Sequence, residues 1–232
     1  MVVSLIQARI NDFGSYLNSQ FHDKDQSLWL WEWCTNWQDA KATIDRNQDF
    51  LRFFESGMSH SKTKRFWQEP GWFPRDAMIQ MIKFDPSFLQ MMFSDLFNND
   101  KNLSGRLDRF VFYCDNLWER FNEEKQIKLL RQHDHTQKFV INYLSLEYPE
   151  KYPFYDADHF FKCLIAFQAK DQAETFDPER FYKVSPLLFK LLKENPSVQT
   201  GLQKQLGKNE KLNTGSQLQV SYFCSFVAKS IK

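Results

Sequence analysis

Three histidines and a cysteine have the side chains that bind transition metals. His133 and His135 flank Asp134, and His159 precedes Cys163 by four residues in a segment predicted to be helical. The i,i+4 spacing places the second pair on one helix face, where both could bind one ion. Cys163, however, lies in the apolar run "FFKCLIAF", where a thiol usually packs into a core. We therefore predict no metal and no cofactor.

Two other segments have spacings close to those of catalytic motifs. Residues 201–209, "GLQKQLGKN", place five residues between two glycines where a phosphate-binding loop has four, and no hydroxyl follows the lysine. Glu123 and Lys125 follow Asp108 and Asp115 with the E-x-K spacing of metal-dependent nucleases. A sheet brings such groups to one phosphate, whereas a single helix is predicted to contain all four here. We therefore predict no catalytic residue.

The segment "YPEKYPFYD" combines aromatic rings with a cation. Lys151, Tyr152 and Tyr155 could contact a nucleic acid, because rings stack on bases while lysines pair with phosphates. Pro149 and Pro153 favour the alternative of a rigid corner between two helices, with the tyrosines packed over the helix ends. Both readings stay open at this point.

The last part of the chain is rich in lysine. The whole protein has a net charge of +1, but residues 183–232 contain eight lysines against only Glu194 and Glu210. Such a segment is attracted to phosphates, and the alternative is an ordinary solvated face. The lysines that we assign to a nucleic-acid-binding surface are Lys190, Lys193, Lys204, Lys208 and Lys211.

Four tryptophans lie close together in the segment "WLWEWCTNW". Trp29, Trp33 and Trp37 share one side of a predicted helix, and Trp31 lies between them. Exposed tryptophans contribute much of the binding energy at protein interfaces. These four residues are therefore candidates for partner binding, with a core position as the alternative.

The composition predicts an all-α fold. The chain has 232 residues, 24 of them phenylalanine, and only seven glycines, and few segments alternate apolar and polar residues. We expect an irregular bundle of about 9–11 helices with an aromatic-rich core. It is predicted to form a single domain over residues 1–232, with a division into subdomains 1–100 and 101–232 as the alternative.

Apolar spacing and proline positions predict where the helices lie. Pro74 and Pro86 suit a first helical turn, with Asp85 as the cap of the second helix. The predicted helices are 5–21, one containing Trp29, Trp33 and Trp37, one ended by Gly57, 74–84, 86–97, 103–121, 135–147, 156–167, one capped by Ser185, one restarted at Asn195 and Pro196, and one at the end of the chain.

The cysteines and the hydropathy indicate the compartment. Cys34, Cys114, Cys163 and Cys224 are dispersed in apolar stretches, which predicts buried thiols rather than disulfides. No apolar run approaches the length of a membrane span. We therefore expect a cytoplasmic protein with no membrane partner.

The segment over residues 72–117, "WFPRDAMIQMIKFDPSFLQMMFSDLFNNDKNLSGRLDRFVFYCDNL", and the later "YLSLEYPEKYPFYD" resemble the helical region that precedes the AAA+ motor in bacterial McrB-type restriction ATPases. The similarity runs from about residue 12 to the C terminus. The matching positions are Phe73, Pro74, Ile79, Asp85, Pro86, Phe93, Leu96, Phe97, Arg106 or Arg109, Phe110, Tyr143, Leu144, Leu146, Tyr148, Pro149, Lys151, Tyr152 and Tyr155.

This resemblance implies a non-catalytic module of a restriction or anti-phage defence system. In that family the motor hydrolyses nucleotide and recruits a nuclease, while the N-terminal region selects DNA, which is often modified. The Walker segments of the motor are absent from this sequence. The resemblance therefore implies DNA targeting, or alternatively protein docking that links a motor or nuclease subunit to its partner.

Overall fold

The computed structural model describes residues 1–19, 29–59, 73–125, 132–172, 176–206 and 215–231. Over these residues the chain is all-α, with eleven helices and no strand, which confirms the predicted class. The helices are α1 Val3–Asn18, α2 Trp29–Thr43, α3 Phe50–Gly57, α4 Pro74–Phe84, α5 Pro86–Phe97, α6 Leu103–Lys125, α7 Gln137–Glu147, α8 Ala157–Ala166, α9 Pro178–Glu194, α10 Pro196–Leu206 and α11 Leu218–Ser230.

Short polar side chains mark where several helices begin. The Asp85 carboxylate accepts the backbone N–H of Phe88 at 3.1 Å, and Pro86 occupies the first turn of α5. This cap satisfies one of the N–H groups that a helix leaves unpaired at its start. The same three-residue cap is made by Asp49, Asp156, Asp177 and Asn195. The predicted roles of Asp85 and Asn195 are confirmed.

The predicted start of α9 at Ser185 is wrong. The helix begins at Pro178, with Asp177 as its cap, and Pro186 lies inside it. A proline in a helix has no N–H for the carbonyl four residues earlier, which here is that of Tyr182. The Ser185 hydroxyl donates to this carbonyl at 3.3 Å, so the acceptor keeps a partner and the helix continues.

The chain forms two compact units. Unit 1 comprises Met1–Trp31 and Tyr148–Lys232, and unit 2 comprises Glu32–Glu147. This division differs from the expected subdomains, because the first and last parts of the chain belong to the same unit. The order of residues along the sequence does not show that its two ends form one unit.

In unit 1, α1 lies directly against α10. Gly14 and Gly201 permit the approach, since a Cβ added to Gly201 would lie 2.5 Å from the Cβ of Leu17. The Asn18 amide also donates to the carbonyl of Ser197 at 2.9 Å. On another side of α1, the Phe13 ring packs against three rings of α11, those of Tyr222, Phe223 and Phe226.

In unit 2, an aromatic cluster forms the core. The buried Tyr143 ring of α7 lies with its centroid 5.0 Å from that of Phe93, in an edge-to-face arrangement. Such geometry adds to the free energy gained by burying the rings. The other rings around Tyr143 are those of Trp37, Phe54, Phe110, His135 and Phe139.

Two expectations from the sequence concern the state of the cysteines and the presence of a membrane span. All four cysteines are free and buried, as predicted. Among the described helices, none is both long enough and apolar enough to span a membrane.

Candidate functional site

The structure buries most of the tryptophans that we considered for partner binding. Trp31, Trp33 and Trp37 are at most 2% exposed, and Trp29 is half-buried. In unit 1, Trp31 packs edge-on against Tyr222, and Trp29 lies 6.4 Å from Phe154 between ring centroids. In this structure the cluster therefore contributes to the core and does not offer an exposed row of anchors.

The corner at Pro149 and Pro153 also has its rings packed inward. Tyr152 and Tyr155 are buried, and the Tyr155 hydroxyl accepts the backbone N–H of Asp177 at 2.9 Å. Lys151 is exposed, with its ammonium 5.1 Å from the Tyr152 ring centroid. The two rings therefore have no face available for stacking on bases, and only Lys151 can reach a phosphate.

The exposed side of α9 carries three lysines. Lys183 and Lys190 are seven residues apart and Lys190 and Lys193 are three apart, spacings that place all three on one helix face. We call this the lysine face; it also includes the exposed residues Pro186, Leu187 and Glu194. Two acids share this face: Glu194, which lies 3.9 Å from the Lys190 ammonium, and the half-buried Glu179, four residues before Lys183.

Of the three other lysines that we assigned in the last part of the chain, the structure describes one. Lys204 is exposed on α10, the helix that follows the lysine face along the chain. Lys208 and Lys211 lie outside the described residues. The sequence assignment omitted Lys183, although its seven-residue spacing from Lys190 was a signal that they share a face.

The histidines of unit 2 form a hydrogen-bonded chain that runs from the exposed Asp115 to the buried Tyr143. His133 Nε2 lies 2.8 Å from the Asp115 carboxylate, and its Nδ1 accepts the backbone N–H of His135 at 3.0 Å. His135 Nδ1 bonds to the carbonyl of His133, and its Nε2 lies 3.0 Å from the Tyr143 hydroxyl. Because a carboxylate and a carbonyl can only accept, each imidazole donates through those nitrogens. Burial, and to a lesser extent His133, lower the pKa of His135 to about 3.

Cys114 completes this cluster. One ring nitrogen of His133, one of His135 and the Cys114 sulfur lie within 4.8 Å of one another. Burial raises the pKa of the Cys114 thiol well above its ordinary value, so the free thiol is protonated. Of the four metal candidates from the sequence, His133 and His135 belong to this group, whereas His159 and Cys163 are in unit 1. No sequence signal indicated Cys114, because its place in the apolar stripe of α6 is typical of a core residue.

A buried carboxylate that the sequence did not indicate ends α7. Glu147 accepts the indole N–H of Trp37 at 3.0 Å and pairs with Lys41 and Arg46 at 2.8 and 3.2 Å. Its side chain is almost inaccessible, whereas both cations are partly exposed. The arrangement satisfies a buried charge and joins α2 to α7 within unit 2.

The fold and these surfaces define the chain as an all-α protein with a basic helix face on one of its two units. No protein family, curated protein or solved structure matches the chain. The likeness to the region ahead of McrB-type motors therefore stays a prediction from the sequence.

Proposed function

We propose that this chain is a non-catalytic DNA-targeting module of a McrB-like restriction or anti-phage defence system. In this proposal a AAA+ motor or nuclease subunit is its protein partner. The lysine face of α9 is the observation on which the proposal mainly rests, because its three exposed lysines outnumber the acids of the same face, Glu179 and Glu194. The sequence resemblance supplies the biological context.

The chemistry of the lysine face suits the backbone of a duplex. Ammonium groups neutralise phosphates and release condensed counterions, which favours binding without reading the base sequence. Lys204 and Lys151 are further exposed cations of the same unit. Selection among sequences or modified bases would need contacts beyond these, since phosphate contacts position a protein but do not specify a sequence.

Protein docking is the less favoured alternative. It was motivated by four clustered tryptophans, and three of these are buried in the structure. Burial removes the exposed anchors that usually contribute most of the energy at an interface.

Fluorescence anisotropy with labelled duplexes, methylated and unmethylated, tests the proposal. We expect binding that weakens steeply with salt, with a log–log slope of about −0.9 for each phosphate neutralised. Replacing Lys183, Lys190 and Lys193 together by glutamine should flatten this slope by about two to three units. Preference for the methylated duplex would support modified-base selection.

A matched control removes three exposed cations of unit 2. Arg52, Lys83 and Lys138 are exposed on three different helices and do not share a face with the lysines of α9. Replacing these three by glutamine should leave the slope nearly unchanged. Absence of binding at low salt, or equal losses in the two triple variants, would contradict the proposal.

A further inference from the structure

Three side chains with metal-binding atoms meet inside unit 2, although they come from separate parts of the chain. Cys114 lies on α6, whereas His133 and His135 lie in the segment that leads into α7. Their sulfur and nitrogen atoms are mutually within 4.8 Å. Cys114 and His135 are fully buried, and the His133 side chain is 12% exposed, which leaves a route from solvent.

Each imidazole has one nitrogen that is held by a hydrogen-bond acceptor and one that keeps its lone pair. A metal-bound histidine usually donates its second ring N–H to a carboxylate or a backbone carbonyl, which fixes the ring and its tautomer. Both kinds of acceptor are present, since Asp115 holds Nε2 of His133 and the His133 carbonyl holds Nδ1 of His135. The nitrogens left with lone pairs are therefore Nδ1 of His133 and Nε2 of His135.

The turn between the histidines presents both rings to the same region. Asp134 has a φ of 60°, a conformation that residues other than glycine seldom adopt. Its carboxylate accepts the backbone N–H of Phe73 at 2.8 Å, which ties the turn to the residue before α4. The two rings lie 5.8 Å apart between centroids, with 29° between their planes.

We propose that Cys114, His133 and His135 form a binding site for a borderline transition-metal ion of the Zn²⁺ type. Two imidazoles and a thiolate match the ligand preference of Zn²⁺ and disfavour Mg²⁺ and Ca²⁺, which take oxygen ligands. On binding, the Cys114 thiol loses its proton to solvent and the sulfur coordinates the ion. A water can supply the fourth ligand of a tetrahedral site.

Binding requires local adjustment. Metal bonds of about 2.0–2.3 Å place tetrahedral ligand atoms about 3.3–3.8 Å apart, so the cluster must contract slightly around the ion. The ion also displaces two donors that now face the lone pairs, the backbone N–H of His135 and the Tyr143 hydroxyl. These losses make the site weaker than a preformed four-ligand zinc site.

Cobalt titration of the full chain tests this proposal, because Co²⁺ substitutes for Zn²⁺ and is coloured. After treatment with a chelator and a reductant, we expect one equivalent of Co²⁺ to give tetrahedral d–d bands and a thiolate-to-cobalt charge-transfer band. Zn²⁺ should displace the cobalt and raise the thermal unfolding midpoint. Absence of binding, or d–d bands without the charge-transfer band, would overturn the proposal.

Substitutions at the proposed ligands test where the metal ion binds. Cys114→Ala should abolish the charge-transfer band, and His133→Gln should weaken cobalt binding at least tenfold. His133 is partly exposed, so its variant keeps the test decisive if the buried Cys114→Ala chain does not fold. Cys34→Ser, which changes a buried thiol of the same unit outside the cluster, should bind cobalt as the unchanged protein does. Unchanged binding by folded Cys114→Ala or by His133→Gln would refute the assignment.

Discussion

At the scale of single residues, Glu147 is the clearest case of a buried charge with satisfied partners. Its carboxylate accepts from Trp37 and pairs with Lys41 and Arg46. A buried carboxylate is stable only when such partners replace the water that it has lost. The sequence shows a glutamate at a helix end, but not the two cations and the indole, which come from residues about 100 positions earlier.

Replacing Glu147 by glutamine should destabilise the protein. The amide still accepts from Trp37, but the attraction to both cations disappears, and we expect a loss of about 1–3 kcal/mol in the free energy of unfolding. Urea denaturation followed by circular dichroism measures the change. Glu150→Gln, in the exposed turn after α7, is the control and should change stability by less than about 0.5 kcal/mol. If Glu147→Gln and Glu150→Gln changed stability equally, the ion pairs of Glu147 would contribute nothing to the free energy of unfolding.

The stability contributed by Asp95 should depend on pH. Partial burial raises its pKa, but hydrogen bonds from Arg109 and Lys101 outweigh this, so the pKa lies below its ordinary value. A lowered pKa in the folded state means that the contribution is fully present above the unfolded pKa of about 3.9 and is lost as pH falls through the folded pKa.

We therefore expect Asp95→Asn to cost about 1 kcal/mol at pH 7 and progressively less below about pH 4. The urea-denaturation midpoints of the unchanged protein and of Asp95→Asn, measured across this pH range, give the difference in stability. Asp100→Asn, an exposed aspartate nearby in sequence, should show little effect at any pH. A constant cost for Asp95→Asn across the range would contradict the role of its charge.

At the scale of helices, the sequence predicts elements well and their surroundings poorly. The helices beginning at Pro74 and Pro86 were predicted with their observed bounds, because proline and a capping aspartate act locally. The predicted start at Ser185 failed because a hydroxyl replaced the missing backbone donor in mid-helix. Tyr152 and Tyr155 could not be placed for a different reason, since apolar spacing does not show which element covers a ring.

The contact of α1 with α10 depends on the missing side chain of Gly201. Alanine favours a helix over glycine by about 1 kcal/mol, but its Cβ would lie 2.5 Å from that of Leu17 and 3.3 Å from the Leu17 carbonyl carbon. Because both neighbours are close to the backbone, the helices must separate. We expect Gly201→Ala to destabilise the protein by about 1–3 kcal/mol, as measured by urea denaturation.

Gly105→Ala in α6 is the matched control. Its added Cβ would lie 3.2 Å from the end of the Arg109 side chain, which can move aside, and at an ordinary 3.8 Å from the Asn102 side-chain oxygen. This substitution should be neutral or stabilising by up to about 1 kcal/mol. If both alanine variants gain stability, close approach does not limit the contact between α1 and α10.

At the scale of the whole molecule, the two units differ in how the chain builds them. Unit 2 is one continuous segment, Glu32–Glu147, whereas unit 1 is assembled from both ends of the chain. The predicted division at residue 100 followed composition along the sequence. It could not anticipate that α1 packs against α10 and α11, because that pairing depends on side-chain shapes far apart in sequence.

Because unit 2 is one continuous segment of the chain, we predict that it folds by itself. It has its own aromatic core around Tyr143 and Phe93, and its length is in the range of about 50–250 residues typical of domains. We expect the fragment Glu32–Glu147 to be helical by circular dichroism and to unfold cooperatively. Phe93→Ala in the fragment should remove about 3–5 kcal/mol and largely unfold it, whereas replacing the exposed Phe112 by alanine should not. A fragment without a cooperative transition would show that this core is insufficient alone.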